Sequence, residues 1–155
     1  MLGPSVRVAI ALGSNLGDRA AHLDYALRRL ASTLSSMKVS RWYETEPVGV
    51  GPQPGFLNGV VVGDTDRSAR ELLDALLTIE RERGRDRPSP GAPRSLDLDL
   101  ILYGDRVIDE DGLIVPHPRF RERRFVLEPL AEIAPDLTDP ITRRRIVDLL
   151  GATQP

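Results

Sequence analysis

The order of elements in this sequence predicts an α+β fold: a ferredoxin-like split βαβ core, a mostly antiparallel sheet with helices packed on it and two long loops. Three observations carry this. Apolar strand patterns and helical periodicities alternate as strand–helix–strand–strand–helix–strand over the first hundred residues. Two leucine-spaced helices fall in the second and fifth places of that order. Two Gly/Pro-rich stretches then interrupt the chain just before strands that carry polar residues.

Taken in order, Val6–Leu12 is an apolar strand closed by Gly13-Ser-Asn-Leu-Gly17. Leu23, Leu27, Leu30 and Leu34 follow helical spacing, which predicts a helix over Arg19–Ser35. Met37–Tyr43 reads as a strand, Glu44–Gly55 as a loop and Phe56–Val62 as a strand. Ser68-Ala-Arg-Glu71 is a capping box, and Leu72, Leu73, Leu76, Leu77 and Ile79 extend the helix behind it to about Arg83. Gly84–Pro93 is a second loop, followed by the strand that contains Asp97 and Asp99. A Gly104-Asp105 turn, a short strand near Val107–Ile108, a helix over Phe125–Ile133 and a last helical turn at Ile146–Leu150 complete the chain. Both long helices are expected on one sheet face. The other face is expected to be covered by loops and the C-terminal segment, or to be the site.

Length and composition narrow the function classes. The 155 residues fit one domain, 1–155, with a real core. With 41% hydrophobic and 28% charged residues the chain reads as soluble and globular. A net charge of −2 argues against a general nucleic-acid binder. There is no cysteine, and two histidines, His22 and His117, are too few for a histidine-rich zinc site. No signal peptide and no membrane-length apolar run is apparent, so the expectation is a cytoplasmic protein, with nothing demanding more than a monomer. His22 is expected to face solvent from the first helix.

The chemistry concentrates in Arg94-Ser-Leu-Asp-Leu-Asp-Leu-Ile-Leu-Tyr103. Side chains two apart on a strand share a face, so Asp97 and Asp99 point one way and the leucines the other, with Cα atoms roughly 6–7 Å apart. Like charges on one strand face repel, and a hard divalent cation relieves that repulsion. The two long loops flank this strand and read as lids over a reaction that excludes water. Arginines surround it: Arg81, Arg83, Arg85, Arg87 and Arg94 before, Arg119, Arg121, Arg123 and Arg124 after. Guanidinium groups bind phosphate oxygens through paired hydrogen bonds, so the pattern points to phosphoryl transfer. Arg81 and Arg83 read as a solvated helix end. Unaided, Phe56 and Phe125 would read as core. Asn58 in a strand is less easily dismissed, since a buried amide needs partners.

Six segments together resemble the 6-hydroxymethyl-7,8-dihydropterin pyrophosphokinases of folate biosynthesis. They are Ala11-Leu-Gly-Ser-Asn-Leu-Gly-Asp-Arg19, Tyr43-Glu-Thr-Glu-Pro-Val48, Phe56-Leu-Asn-Gly-Val60, Pro93-Arg-Ser-Leu-Asp-Leu-Asp-Leu100, Val115-Pro-His-Pro118 and Phe125-Val-Leu-Glu-Pro-Leu130. The resemblance implies transfer of the β,γ-diphosphoryl group of ATP to the pterin hydroxymethyl oxygen, with release of AMP. It implies two Mg2+ ions on Asp97 and Asp99, and Arg85 and Arg94 on the migrating phosphates. Glu80, Arg87, His117 and Arg123, with the backbone near Leu100, would hold ATP. The pterin would stack between Phe56 and Phe125, with Asn58 reading its amide edge and Thr45 and the backbone near Val48 completing the pocket. Gly13-Ser-Asn15 lacks a phosphate-loop pattern and reads as a turn supporting the site.

The chain departs from the family in its second loop, where Ser89-Pro-Gly-Ala-Pro93 stands in place of the usual Arg-Trp-Gly before Pro-Arg, and at Pro118 and Leu77. Two other readings remain open at this level. One is a different metal-dependent nucleotide enzyme on the same scaffold, and the other is a non-catalytic ligand-sensing module.

Overall fold

The computed structural model describes residues 5–45, 55–84 and 95–153. Four long or medium strands form its sheet: β1 (Val6–Ser14), β2 (Ser35–Val39), β4 (Phe56–Thr65) and β5 (Asp97–Tyr103), in the order β2-β4-β1-β5, while the short β3 (Tyr43–Thr45) also pairs with β4. Every pairing in it is antiparallel. With α1 (Arg19–Leu30) and α2 (Ala69–Glu82) as the two crossovers, this is the split βαβ order expected from the sequence.

The two faces of the sheet bury different things. Val8, Ile10 and Leu12 of β1, Val61 of β4 and Leu98 and Leu100 of β5 pack against Leu23, Ala26 and Leu30 of α1 and Leu72, Leu76 and Ile79 of α2. On the opposite face Ala9, Val60, Val62 and Ile101 pack against Phe120, Val126, Leu127, Leu130, Ile146 and Leu149. These last residues come from a 3-10 turn (Phe120–Glu122), α3 (Arg124–Ile133) and α4 (Ile146–Ala152). The C-terminal elements cover only part of that face. The rest, toward Gly13 and Asp97, is the candidate site.

Local signals set the ends of the helices. Asp18 caps α1 by accepting from Ala21 N at 3.1 Å, and the capping box of α2 is complete, Ser68 with Glu71 in both directions. Gly84, at φ +87°, follows the C-cap of α2, a backbone conformation that costs glycine little.

Several boundaries differ from the sequence reading. β1 continues through Gly13 and Ser14, so Gly13 belongs to a strand and not to a turn. α1 stops at Leu30, and Leu34 is buried from the following turn. The strand expected over Met37–Tyr43 is two strands. Between them Ser40 takes over part of the ladder: its Oγ accepts from Val60 N at 2.9 Å and its N–H donates to Val60 O at 3.0 Å. Arg41 N turns outward to the Glu132 carboxylate. The short strand near Val107–Ile108 is β6 (Ile108–Glu110), paired with β7 (Leu113–Val115), which the sequence reading did not include. The two loops expected to act as lids lie largely outside the described residues.

Candidate active site

The register of the sheet assembles the site. One row of paired residues crosses four strands: Tyr43 opposite Asn58, Asn58 opposite Gly13, and Gly13 opposite Asp97. Two residues along, Ala11 lies between Val60 and Asp99, while Thr45 is opposite Phe56. Paired residues share a face, so Thr45, Phe56, Asn58, Asp97 and Asp99 all project to the same side. Gly13, between Asn58 and Asp97, and Ala11, beside Asp99, are small and leave a floor. Above it is a cavity of about 530 Å³, whose walls include Thr45, Phe56, Asn58, Asp97, Asp99, Arg123 and Phe125.

Six sequence-predicted residues of the pterin and metal sites therefore meet in one hollow. Asn58 is 6% exposed, and its Nδ2 donates to Thr45 Oγ1 at 2.8 Å. That bond holds the amide plane and joins the two residues expected to read the pterin edge. Phe56 is half-buried, whereas Phe125, at the start of α3, is 41% exposed. An aromatic ring left that exposed at a cavity mouth is available for stacking. Asp97 and Asp99 both line the cavity while their neighbours Leu98 and Leu100 are buried on the helix side, as the alternation requires.

A second hollow of about 260 Å³ opens on the other side of Asp99. It is walled by Leu73, Leu98, Leu100, Leu113, Val115 and His117 among others. His117 is half-buried, with its N–H on Ile101 O at 3.0 Å. Its Nδ1 accepts from Arg119 N at 3.2 Å, so the neutral ring carries its proton on Nε2. Burial, then the nearby Arg123 charge, hold this imidazole below the usual histidine range, with Asp97 opposing and Arg119 adding a smaller downward push.

Glu80 is placed differently from an open ligand contact. It is 1% exposed on α2, and its Oε2 accepts from Leu98 N at 2.6 Å, which fixes the start of β5 between the two aspartates. Arg85, Arg87, Arg94 and Val48 lie outside the described residues.

Sequence reasoning missed several contributors. Ala11 forms the floor together with Gly13, which the sequence reading took for a supporting turn, and Glu122 and Val126 complete the walls beside Arg119, already named among the surrounding arginines. Their signal is weak before folding, because smallness marks a floor only once the register is known. Arg19 was also missed: it donates to Gly55 O at 2.8 Å and to Glu44 Oε1 at 2.5 Å, tying α1 to β3 and to the residue before β4. His22 is not solvent-facing. It is half-buried and accepts from Arg83 Nε at 2.9 Å, and Arg83 stacks 4.6 Å from the centre of the Tyr25 ring, so Arg83 is not a merely solvated helix end.

Comparison with known proteins gives the family and the fold. Residues 9–135 match the family model for 7,8-dihydro-6-hydroxymethylpterin-pyrophosphokinase. The chain is 43% identical over 143 residues to the 2-amino-4-hydroxy-6-hydroxymethyldihydropteridine pyrophosphokinase of Synechocystis sp., covering 91% of this chain and 73% of that one. It is 44% identical over 149 residues to the enzyme of that name from Pseudomonas aeruginosa, covering 94% and 91%. Among solved structures, HPPK-DHPS of Plasmodium falciparum superposes with a TM-score of 0.78 at 15% identity. That match covers 96% of this chain and 44% of the longer one, and it speaks to the fold alone. On the family match and on these relatives, the chain belongs to the 7,8-dihydro-6-hydroxymethylpterin-pyrophosphokinase family.

Proposed function

We propose that this site moves the β,γ-diphosphoryl group of ATP onto the hydroxymethyl oxygen of 6-hydroxymethyl-7,8-dihydropterin, giving the pterin diphosphate and AMP, with two Mg2+ ions on Asp97 and Asp99. The pyrophosphokinase activity and its place in folate biosynthesis follow from family membership. The assignment of residues and ions is our reading. The observation that carries it is the shared face of Asn58, Gly13, Asp97 and Asp99, which sets an amide reader and a dicarboxylate into one cavity.

The residues fit the ions. Two carboxylates on one strand face supply hard oxygen donors, and magnesium is held by one or two carboxylates plus substrate phosphates. When bound, such ions supply Lewis-acid stabilisation of the phosphate charge and of the attacking oxygen.

The chain's own part is positioning. Phe56 and Phe125 sandwich the pterin, and Asn58, held by Thr45, donates to and accepts from its amide edge. The apolar hollow beyond Asp99 takes the adenine, with the backbone at Leu100 on its wall. His117 offers its Nε2 proton, and Arg123 its guanidinium, to the phosphates. Glu80 acts on ATP through β5, by holding Leu98 N and so the spacing of the two aspartates. Arg85, Arg87 and Arg94 complete the phosphate site, and Val48 the pterin pocket. The single domain needs no second copy for any of these contacts, and no nucleic acid or membrane enters the reaction; the protein works as a cytoplasmic monomer. Among the described residues no helix is long and apolar enough to cross a membrane.

Product analysis tests this directly. Incubation with ATP, magnesium and the hydroxymethyl dihydropterin should yield AMP and a pterin diphosphate in equal amounts. ADP, or free diphosphate released with AMP joined to the acceptor, would point instead to another nucleotide enzyme on this scaffold.

A further inference from the structure

Three arginines alternate through the segment before α3, and the fold sends them to different places. Arg121 turns inward. Its Nε and Nη2 donate to Asp139 at 2.5 and 2.9 Å, and that carboxylate is fully buried and also accepts from Ile141 N and Thr142 Oγ1. Burial alone would raise the Asp139 carboxyl; Arg121, Thr142 and the Ile141 N–H more than offset it and hold it below the usual range. The Arg121 guanidinium also lies 4.8 Å from the centre of the ring of Phe120, which is itself in the core. Arg121 therefore anchors the 3-10 turn. Its neighbours at alternate positions, Arg119 and Arg123, both line the cavity that holds Asp97 and Asp99.

Arg119 has no structural task of comparable weight. Its backbone is held by His117 Nδ1, so its root is fixed. Its side chain is 68% exposed, and its ion pair with Glu122 is long, 3.5 Å, and exposed on both sides. Long, exposed pairs of that kind contribute little, so the guanidinium is readily transferred to a stronger anion. Arg119 lines the large cavity but not the apolar hollow beyond Asp99. It thus stands on the side that holds Asp97 and Asp99 together and not in the hollow suited to a purine.

Building on the pyrophosphokinase reading, we infer that Arg119 is a further phosphate-binding residue, contacting the migrating β,γ-diphosphoryl group of ATP after release from Glu122. A guanidinium reaches two phosphate oxygens at once, which suits a group that must be held in line while it moves. The turn pinned by Arg121 and Asp139 keeps its root in place.

The test is binding of α,β-methylene ATP with magnesium, and separately of AMP and of the pterin, to wild type, Arg119→Gln and Arg119→Lys, with melting curves for each. Arg119→Gln should weaken the triphosphate analogue at least tenfold, leave AMP and pterin within about twofold, and leave the melting temperature unchanged, since the side chain is exposed. Arg119→Lys should fall between, because it keeps charge but loses the paired geometry. An analogue affinity within twofold of wild type, or an equal loss for AMP, overturns the assignment while leaving the pyrophosphokinase reading intact. If wild type forms no AMP from ATP and the pterin, that reading fails and this assignment falls with it.

Discussion

Gly13 has a chemical reason to be glycine. A Cβ built there would lie 3.1 Å from Asn58 Oδ1, close enough to push on the amide, and 3.8 Å from the Phe56 ring, in ordinary contact. Gly13→Ala should therefore raise the pterin dissociation constant by about tenfold with little change in ATP affinity, as isothermal titration would show. Asn58→Leu is the sharper change. It removes both edges of the reader and leaves Thr45 Oγ1 without its donor, and a pocket built for hydrogen bonds loses about 100-fold or more in such cases. Unchanged pterin affinity in Asn58→Leu would remove the amide from the recognition account. His117 gives a residue-level prediction in pH. Burial and the charge of Arg123 disfavour its protonated form, so its NMR titration should have a midpoint below 6.5 in the free protein. The sign for stability follows: the unfolded chain takes up this proton first as pH falls, so the neutral ring's contribution is complete above 6.5 and declines as pH drops from there toward the folded-state value. A midpoint at or above 6.5 would place the ring in a different environment.

At the level of elements, α2 is tied to the site by Glu80 and to its own start by the capping box. Ser68→Ala should cost about 1 kcal/mol in urea unfolding and leave turnover unchanged, because the cap is at the far end of the helix from Glu80. Asp139→Ala is expected to cost more, about 3–5 kcal/mol, since it leaves the Arg121 guanidinium without its buried partner. A loss below about 1 kcal/mol would show that the loop after α3 is held by something else. The elements also show what the sequence made legible. The Asp/Leu alternation of β5, the leucine spacing of both long helices and the Ser68–Glu71 box are local patterns, and each reappears in the structure. The break between β2 and β3 was not legible, because it depends on Ser40 bonding to Val60, twenty positions away. The β6–β7 hairpin rests on three-residue strands too short to carry a period. In the same way, Arg119 and Arg121 look equivalent in the sequence, and only the resemblance singles out Arg123. Only the buried carboxylate of Asp139 distinguishes the anchor from the two that line the cavity.

Taken whole, the molecule divides one sheet face between stability and chemistry. Toward Ala9, Val60 and Ile101 it packs α3 and α4, and toward Gly13 and Asn58 it stays open. Along β1 the small residues Ala9, Ala11 and Gly13 share this face and the large Val8, Ile10 and Leu12 face α1 and α2; α3 and α4 reach Ala9 and leave Ala11 and Gly13 to the cavity. The central claim is that Asp97 and Asp99 act together on the diphosphoryl group in transit while the pterin is held by a separate set of side chains. The most direct measurement is Asp97→Ala, assayed for AMP formation and, in parallel, for pterin binding by titration. The account predicts turnover lowered by about 1,000-fold or more, several kcal/mol of transition-state stabilisation, with pterin affinity within about threefold of wild type. Near-full turnover in Asp97→Ala would contradict it.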